Sequence, residues 1–310
     1  QNMVSDGDIY LSGSDGGSNI NALVLDMSEG GNATFVGQII TSTAGSNNVR
    51  LGDGAGAALA SGSQRNVVIG SNAGAALTTG DYNVAVGYNA LDAEDTGSRS
   101  TALGYFALSA QNNDSSNHNT AVGFTALEQT TTGIENTGIG SQSLNANTTG
   151  AENTAVGQNS LLSNTTGANN VAVGKSCLAS ATTASNNTAV GHTALGANTT
   201  GTQNVAVGAL ALDSCTTGNN NTIVGYNSAQ AQTTASAVTA LGASVLGNNT
   251  GNENTAIGAF SMGANTSGTS NVAVGNSSLA ANTTASNNTA VGASALDANT
   301  TGASNTAIGK

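Results

Sequence analysis

The sequence lacks proline and tryptophan and has few charged or aromatic residues, and each shortage excludes a class of protein. Its 310 residues are 7% charged and 3% aromatic, whereas soluble domains are about 25% charged. Without proline or a glycine at every third residue, the chain is not a collagen. It also lacks a run of about 20 apolar residues, which a membrane helix requires. We therefore expect neither an ordinary globular domain nor membrane insertion.

Basic residues are also scarce. Five Lys and Arg stand against 17 Asp and Glu, which gives a net charge of −12. Nucleic-acid binding requires a basic stripe that neutralises phosphates, so we expect no nucleic-acid partner. The chain begins at Gln1 without a methionine and stops directly after a repeat motif, which indicates a processed or partial chain.

A five-residue motif with the consensus Asn–(Thr/Val)–Ala–(Val/Ile/Leu)–Gly recurs from residue 48 to the end of the chain. It occurs sixteen times at a spacing of 17 residues, with spacings of 18, 19 and 16 as the only exceptions. A fixed period of this length is typical of stacked repeat proteins. The closing glycines are Gly52, Gly70, Gly87, Gly104, Gly123, Gly140, Gly157, Gly174, Gly191, Gly208, Gly225, Gly242, Gly258, Gly275, Gly292 and Gly309.

Alternation within the motif predicts a strand. The residue three before each closing glycine is Val or Thr, the residue directly before it is Val, Ile or Leu, and Ala lies between them in twelve copies. Residues i and i+2 of a strand share a face. We predict that the two columns of larger residues point into the coil. The Ala and Gly columns then point the other way, where something must approach closely.

A leucine column and a polar turn complete the repeat. Leu91, Leu144 and Leu212 exemplify the leucine four residues after the glycine, and Asn147-Thr148-Thr149-Gly150 exemplifies the turn. Asn and Gly favour turns, so each repeat predicts a strand, a short turn, a second short strand and a longer turn with a solvated Asn/Thr exterior. The fold class is all-β, a parallel β-roll or β-solenoid of about 17 residues per coil. Residues 1–47 form a β-rich connector and residues 48–310 the shaft.

The energetics of one coil favour assembly. Three large inward side chains at about 1.5–3 kcal/mol each offset only part of the backbone entropy, which is roughly 1–2 kcal/mol for each of the 17 residues. Burial of the Ala/Gly face against other copies would supply the remainder, which predicts an oligomer; the resemblance described next implies that it is a homotrimer. The alternative is a monomeric solenoid with an exposed Ala face.

Two resemblances point to a class of protein. Asn153-Thr154-Ala155-Val156-Gly157 and its sister copies resemble the head repeats of trimeric autotransporter adhesins, although the usual repeat of that family is shorter. This resemblance, over roughly residues 48–310, implies a left-handed parallel β-roll of three chains around one axis. Residues 21–37 resemble a segment found in the tail-fibre proteins of marine, cyanophage-like bacteriophages. In those proteins the segment precedes long arrays of the same motif. Residues 20–41 by themselves predict two strands joined by Ser28-Glu29-Gly30-Gly31, and an adhesin neck or another β-rich cap is the alternative.

An aromatic stripe is the candidate binding site. The column directly after the closing glycine varies in polarity, which indicates exposure, and it holds Tyr88, Tyr105 and Phe124 in consecutive coils and Tyr226 later. Exposed rings can bind sugar faces, so these three rings form a candidate glycan-binding stripe. The alternative is a stacking ladder that stabilises neighbouring coils.

Catalytic and metal-binding patterns are weak. Hydrolysis of a glycan by a tailspike depolymerase needs two carboxylates at a fixed separation. Asp92, Glu94 and Asp95 cluster in a turn, where we expect a solvated face. The spacing of Asp6, Asp8 and Asp15 matches no calcium loop. We predict no enzymatic activity, no cofactor and no metal.

Two cysteines and the paired threonines complete the survey. Cys177 and Cys215 fall two coils apart, about 9.5 Å, which is too far for a disulfide. We expect free thiols, with Cys177 as a small buried hydrophobe. Threonine pairs such as Thr148-Thr149 lie in the predicted turn and not on a flat strand face, which disfavours an ice-binding solenoid.

The preferred interpretation is a phage tail fibre or receptor-binding fibre shaft. It implies location in the virion tail, outside cells, and partners that comprise further copies of the chain, other tail proteins and a glycan or protein receptor on the host. The runner-up is a trimeric adhesin on a bacterial surface.

Overall fold

The computed structural model describes the backbone of residues 9–15, 18–26 and 32–34, and the backbone and side chains of residues 45–310. The chain divides into two compact units, Gln1–Ser42 and Thr43–Lys310. Asp6, Asp8 and the predicted turn at residues 28–31 lie outside the described residues.

The first unit contains a three-stranded antiparallel sheet in the order β1-β2-β3. Its strands are β1 (Ile9–Asp15), β2 (Ser18–Asp26) and β3 (Asn32–Thr34). Leu25 of β2 pairs with Ala33 of β3, which confirms the predicted pairing of two strands within residues 20–41. Strand β1, which ends at Asp15 and pairs with β2, is an element that the sequence analysis does not predict.

The second unit is a single parallel sheet of sixteen short strands, stacked in sequence order. Each strand has three residues, because the β-branched alternation ends at the closing glycine. The strands are β4 (Val49–Leu51), β5 (Val67–Ile69), β6 (Val84–Val86), β7 (Thr101–Leu103), β8 (Thr120–Val122), β9 (Thr137–Ile139), β10 (Thr154–Val156), β11 (Val171–Val173), β12 (Thr188–Val190), β13 (Val205–Val207), β14 (Thr222–Val224), β15 (Thr239–Leu241), β16 (Thr255–Ile257), β17 (Val272–Val274), β18 (Thr289–Val291) and β19 (Thr306–Ile308).

Neighbouring coils are joined by ladders of identical positions. In β10 and β11, Thr154 pairs with Val171 and Ala155 with Ala172, and the Thr154 N–H donates to Asn170 O at 2.8 Å. The predicted all-β solenoid with about 17 residues per coil is confirmed. The described residues contain no helix with the length and apolar character that crossing a bilayer requires.

The closing glycine is required by the close stacking of the coils. Gly157 has a φ of +129°, a backbone conformation that side chains disfavour. A Cβ placed there would lie 2.6 Å from the carbonyl oxygen of Gly174 in the next coil. Any other residue would push two coils apart.

The leucine segment is a turn, and the predicted second strand is therefore wrong. Asn159 and Leu161 have φ values of 58° and 49°, in the left-handed region, whereas a strand needs negative φ. The segment curls and brings Leu161 inside, fully buried. Its N–H still donates to the next coil, to Cys177 O at 3.0 Å.

The two faces of each strand are the reverse of those predicted. In β11, Ala172 is completely buried, whereas Val171 and Val173 are 38% and 37% exposed. The Ala column therefore lies inside the coil, and the Val/Thr and Val/Ile/Leu columns point outward. The prediction that other copies cover the Ala face is wrong, because the chain covers that face itself.

The narrow interior of the coil explains this reversal. A methyl group added at Gly138, in the Ala column of β9, would lie 3.2 Å from Leu127 Cγ and 3.1 Å from Ser143 Oγ. The side chain of Leu127 thus fills the interior beside the inward face of the strand. The space that is left at the Ala column accommodates no more than one methyl group.

Exceptions to the Ala column support the same geometry. Ile223 replaces Ala in β14, and Ala229 replaces the leucine of that coil. Val68 replaces Ala in β5, and Gly74 takes the leucine position. A Cβ at Gly74 would lie 2.9 Å from Val68 Cγ1, so a large strand residue and a leucine exclude each other.

Two columns of asparagine also lie inside the solenoid. Four residues before the closing glycine, Asn153 donates from Nδ2 to Gly167 O at 2.8 Å. The backbone N–H of Asn170, the equivalent asparagine of the next coil, donates to Asn153 Oδ1 at 3.0 Å. Seven residues after the glycine, Asn164 Nδ2 donates to Asn147 Oδ1 at 2.9 Å. The prediction of a solvated Asn exterior is wrong for these columns, whose amides satisfy backbone groups that water cannot reach.

Candidate functional site

The predicted aromatic stripe is an exposed stack of rings. Tyr88, Tyr105 and Phe124 are 45%, 47% and 53% exposed, as expected for the column after the closing glycine. The rings of Tyr88 and Tyr105 have centroids 5.4 Å apart at 16°, and those of Tyr105 and Phe124 are 5.3 Å apart at 5°. Identical positions in successive coils thus place the three rings face to face.

The stack limits how a sugar could contact these rings. Each inner face is covered by the neighbouring ring, and Phe106 packs edge-on against Tyr88 at 5.5 Å and Tyr105 at 4.6 Å. Only ring edges and the two end faces remain open. Glycan binding by the stripe stays a prediction, and the stack supports the alternative of a stabilising ladder. Tyr226, 61% exposed, occupies the same column farther along the chain.

Phe106 is a member of this cluster that the sequence analysis misses. It lies two residues after Gly104, outside the column considered. A left-handed φ of 52° turns its ring back toward the stripe. Its position directly after Tyr105 is the only signal in the sequence that points to it.

A second exposed column lies five residues before the closing glycine and carries most of the positive charge of these coils. Arg65, Tyr82 and Arg99 occupy it in consecutive coils, followed by His118, and all four are exposed. All four have left-handed φ values between 49° and 64°, which makes this column the corner of the coil. The sequence analysis does not identify this column.

The guanidinium groups of this column pack against the tyrosine ring between them. Arg65 Cζ lies 5.3 Å and Arg99 Cζ 5.7 Å from the Tyr82 ring centroid, within the range of cation–π interactions. Arg65 Nη1 also donates to Tyr82 Oη at 2.7 Å. Tyr82 thus holds two cations, one from the coil before it and one from the coil after it.

The acidic cluster is arranged differently from the solvated face that the sequence predicts. Glu94 is completely buried and accepts hydrogen bonds from Gly97 N at 2.7 Å, Gln111 Nε2 at 2.8 Å and Asn117 Nδ2 at 3.0 Å. Desolvation raises the pKa of Glu94, and the hydrogen bonds from Gln111 and Gly97 oppose the rise. Since Glu94 points into the interior, it forms no surface carboxylate pair with Asp92.

Asp92 and Asp213 occupy the same position in two different coils, five residues after the closing glycine. Burial raises the pKa of Asp92. Burial also raises the pKa of Asp213, and the nearby charge of His192 opposes the rise. These carboxyl groups lie at separate places along the array.

Cys177 and Cys215 are free, as predicted, and completely buried, as predicted for Cys177 only. Burial raises the pKa of the Cys177 thiol to about 12 and raises the pKa of Cys215 as well. Both thiols are therefore protonated and shielded, which makes them poor nucleophiles.

Within residues 45–310 and the described strands of the first unit, no group of three or more His, Cys, Asp or Glu side chains could hold a metal ion. Comparison with known proteins gives no match to a family model, a curated protein or a solved structure. Three surface features of the described residues therefore remain as candidate interaction sites: the aromatic stripe, the arginine column and the outer face of the sheet.

Proposed function

We propose that this chain is a non-enzymatic shaft of an extracellular fibre, namely a phage tail or receptor-binding fibre, and that it assembles as a homotrimer. The observation that carries the proposal is the outer face of the parallel sheet. Its two columns hold only Val, Thr, Ile and Leu in all sixteen strands, and several members are exposed, among them Leu103 at 44% and Leu241 at 47%. Long exposed apolar surfaces mark interaction sites.

The size of this face suits a stable interface. Sixteen strands at about 4.8 Å each extend roughly 75 Å, and two side-chain columns are about 10 Å wide. The resulting area is on the order of the ~800 Å² per partner that a standard interface buries. Regular spacing lets identical faces pack along their whole length.

The interior supports a mechanical role. Backbone ladders bond every coil to the next, and the asparagine columns add side-chain bonds between many of the coils, so bending the solenoid would break many hydrogen bonds together. Such a shaft would act as a stiff spacer between other virion tail proteins and a glycan or protein receptor on the host. The same architecture on a bacterial surface, as an adhesin, is the alternative location, and immunolabelling of virions and cells distinguishes the two.

Light scattering on a sizing column tests the assembly. The chain has a mass of 29.9 kDa, and the proposal predicts a species of three times that mass. The variant V171K/V173K places charges on the outer face and should dissociate the trimer. The variant T149K/T166K adds the same charges on exposed turns and should leave it intact. A monomeric wild type would contradict the proposal.

A second candidate follows from the corrected orientation of the strands. Ten of the sixteen residues three before the closing glycine are Thr, and they point outward beside an apolar column at a regular spacing of about 4.8 Å. Such a regular array of hydroxyl and methyl groups could bind an ice surface. Ice binding needs this face uncovered, so a monomer with thermal hysteresis that V171K/V173K abolishes would favour this candidate over the fibre.

A further inference from the structure

The exposed column of Arg65, Tyr82 and Arg99 concentrates positive charge in an otherwise acidic protein. The chain has five Lys and Arg residues against 17 acids, and two of the five lie in this column within three successive coils. His118 continues the column, and Glu135 ends the run one coil later. The site is therefore a short basic strip along the direction in which the coils stack.

The hydrogen bonds of the two guanidinium groups go to neutral oxygens. Arg65 Nη1 donates to Gln64 Oε1 at 3.3 Å and to Tyr82 Oη at 2.7 Å, and Arg99 Nη1 donates to Ser116 Oγ. The carboxylate of Asp81, the residue directly before Tyr82, accepts the Gln64 N–H at 2.6 Å. A guanidinium has five N–H donors, so both arginines keep donors for a ligand while the Tyr82 ring fixes their positions.

The spacing of the two cations suits a polymer that carries regular negative charges. Arg65 and Arg99 are two coils apart, about 9.6 Å along the stack. In acidic polysaccharides, carboxylate or sulfate groups recur every one or two sugar rings, which is a comparable distance. Guanidinium groups bind such oxyanions in a bidentate manner.

The surroundings favour a polysaccharide over other polyanions. Gln64, Ser98 and Ser116 flank the arginines with amide and hydroxyl groups that can pair with sugar hydroxyls. Nucleic acids require many phosphate contacts, and a strip of two arginines in a chain of net charge −12 cannot supply them.

We propose that Arg65 and Arg99, spaced by Tyr82, form a binding site for an acidic polysaccharide that lies along the stacked coils. Each guanidinium pairs with one anionic group of the polymer, and Tyr82 is a positioning residue. The site belongs to one chain and does not depend on the trimer or on the fibre assignment. It is distinct from the aromatic stripe, whose rings cover one another.

Binding of polygalacturonate to the full chain, measured by isothermal titration calorimetry with dextran as the uncharged control, tests the proposal. R65Q/R99Q should weaken binding at least about tenfold, because two charge-assisted contacts are lost. Y82L should weaken it less, because both cations remain but lose their fixed spacing. Dextran sulfate, run in parallel, distinguishes sulfate from carboxylate recognition, and binding of either polymer that depends on both arginines supports the site.

The matched control is K175Q/K310Q, which removes two exposed positive charges elsewhere and should leave affinity unchanged. Four results would overturn the proposal: wild type that binds neither polymer, equal loss in both double variants, equal binding of dextran, or equal binding of polyglutamate. Circular dichroism of each variant shows whether the solenoid is intact. None of these results depends on the mass of the assembly, so failure here is separable from failure of the fibre proposal.

Discussion

Two stretches of the same solenoid differ in how much they depart from the repeat. Between Gly140 and Gly225 every coil has 17 residues, and the inner column from Asn136 to Asn221 is unbroken asparagine. Between Arg65 and Phe124 the array contains a 19-residue coil, most of the aromatic rings and a buried Glu94. The backbone ladder is nevertheless continuous through both.

In the irregular stretch, one substitution in the inner asparagine column is matched by a second substitution nearby. Ser100 replaces the inner asparagine and is too short to continue the column, and Gln111 compensates by reaching across. Gln111 Nε2 donates to Ser100 Oγ at 2.9 Å, and Asn119 Nδ2 donates to Gln111 Oε1 at 2.8 Å. The comparison teaches that surface chemistry varies widely along this fold, whereas the loss of the inner asparagine at Ser100 is accompanied by a compensating Gln111.

The largest effect should come from a charge in the uniform interior. N170D replaces the Nδ2 donor to Ala184 O at 2.8 Å with a buried carboxylate, so we expect a loss of about 2–7 kcal/mol in unfolding free energy. N169D, on the exposed neighbour with a left-handed φ that Asp tolerates, is the matched control. Thermal unfolding compares the two, and equal midpoints would contradict the buried asparagine column.

A size exchange should be the next largest effect. A155I overpacks the coil and should cost about 1–3 kcal/mol, and L161A leaves a cavity and should cost about 2–5 kcal/mol. The double variant copies the natural pair Ile223 and Ala229 and should recover much of the loss. Chemical denaturation of the wild type, the two single variants and the double variant gives the coupling free energy between the two positions. Strictly additive losses would show that these two side chains do not compete for one space.

Removal of the aromatic stripe should have a smaller effect, confined to the irregular stretch. Y88S/Y105S/F124S removes two stacked pairs, each worth about 0.5–1.5 kcal/mol. Hydrogen exchange should show faster opening of strands β6 to β8 and unchanged protection of β10 to β13. If protection is unchanged throughout while glycan or cell binding is lost, the stripe is a binding site and not a ladder.

The smallest effect is a pH dependence from Glu94. Desolvation raises its pKa in the folded protein, so the folded state holds this proton more tightly than the unfolded chain. The contribution to stability is therefore complete below the usual glutamate pKa and is lost as pH rises through the raised value. The thermal midpoint of wild type minus that of E94Q should fall over this range. A flat or rising difference would contradict the assignment.

The sequence predicts the solenoid because identical residues at a 17-residue period can be read directly. It also predicts the stacked rings, since a ladder places equal positions together. It fails on the direction of the strand faces, because larger residues are expected to fill the core, whereas the leucine already fills it. The paired exceptions at Ile223 and Ala229, in one coil, were the available signal. The exposed column of Arg65 and Arg99 could not be predicted, because its exposure depends on a left-handed backbone corner that no residue pattern marks.

The direction of the strand faces is the central claim, and thiol labelling of β11 tests it most directly. Cysteine is introduced in turn at Val171, Ala172 and Val173, which are 38%, 0% and 37% exposed, while buried Cys177 and Cys215 supply the unreactive background. In chains kept monomeric by charges elsewhere on the outer face, such as V272K/V274K, we predict that V171C and V173C label rapidly and that A172C labels only on unfolding. Rapid labelling of A172C with protection of V171C and V173C would contradict the account.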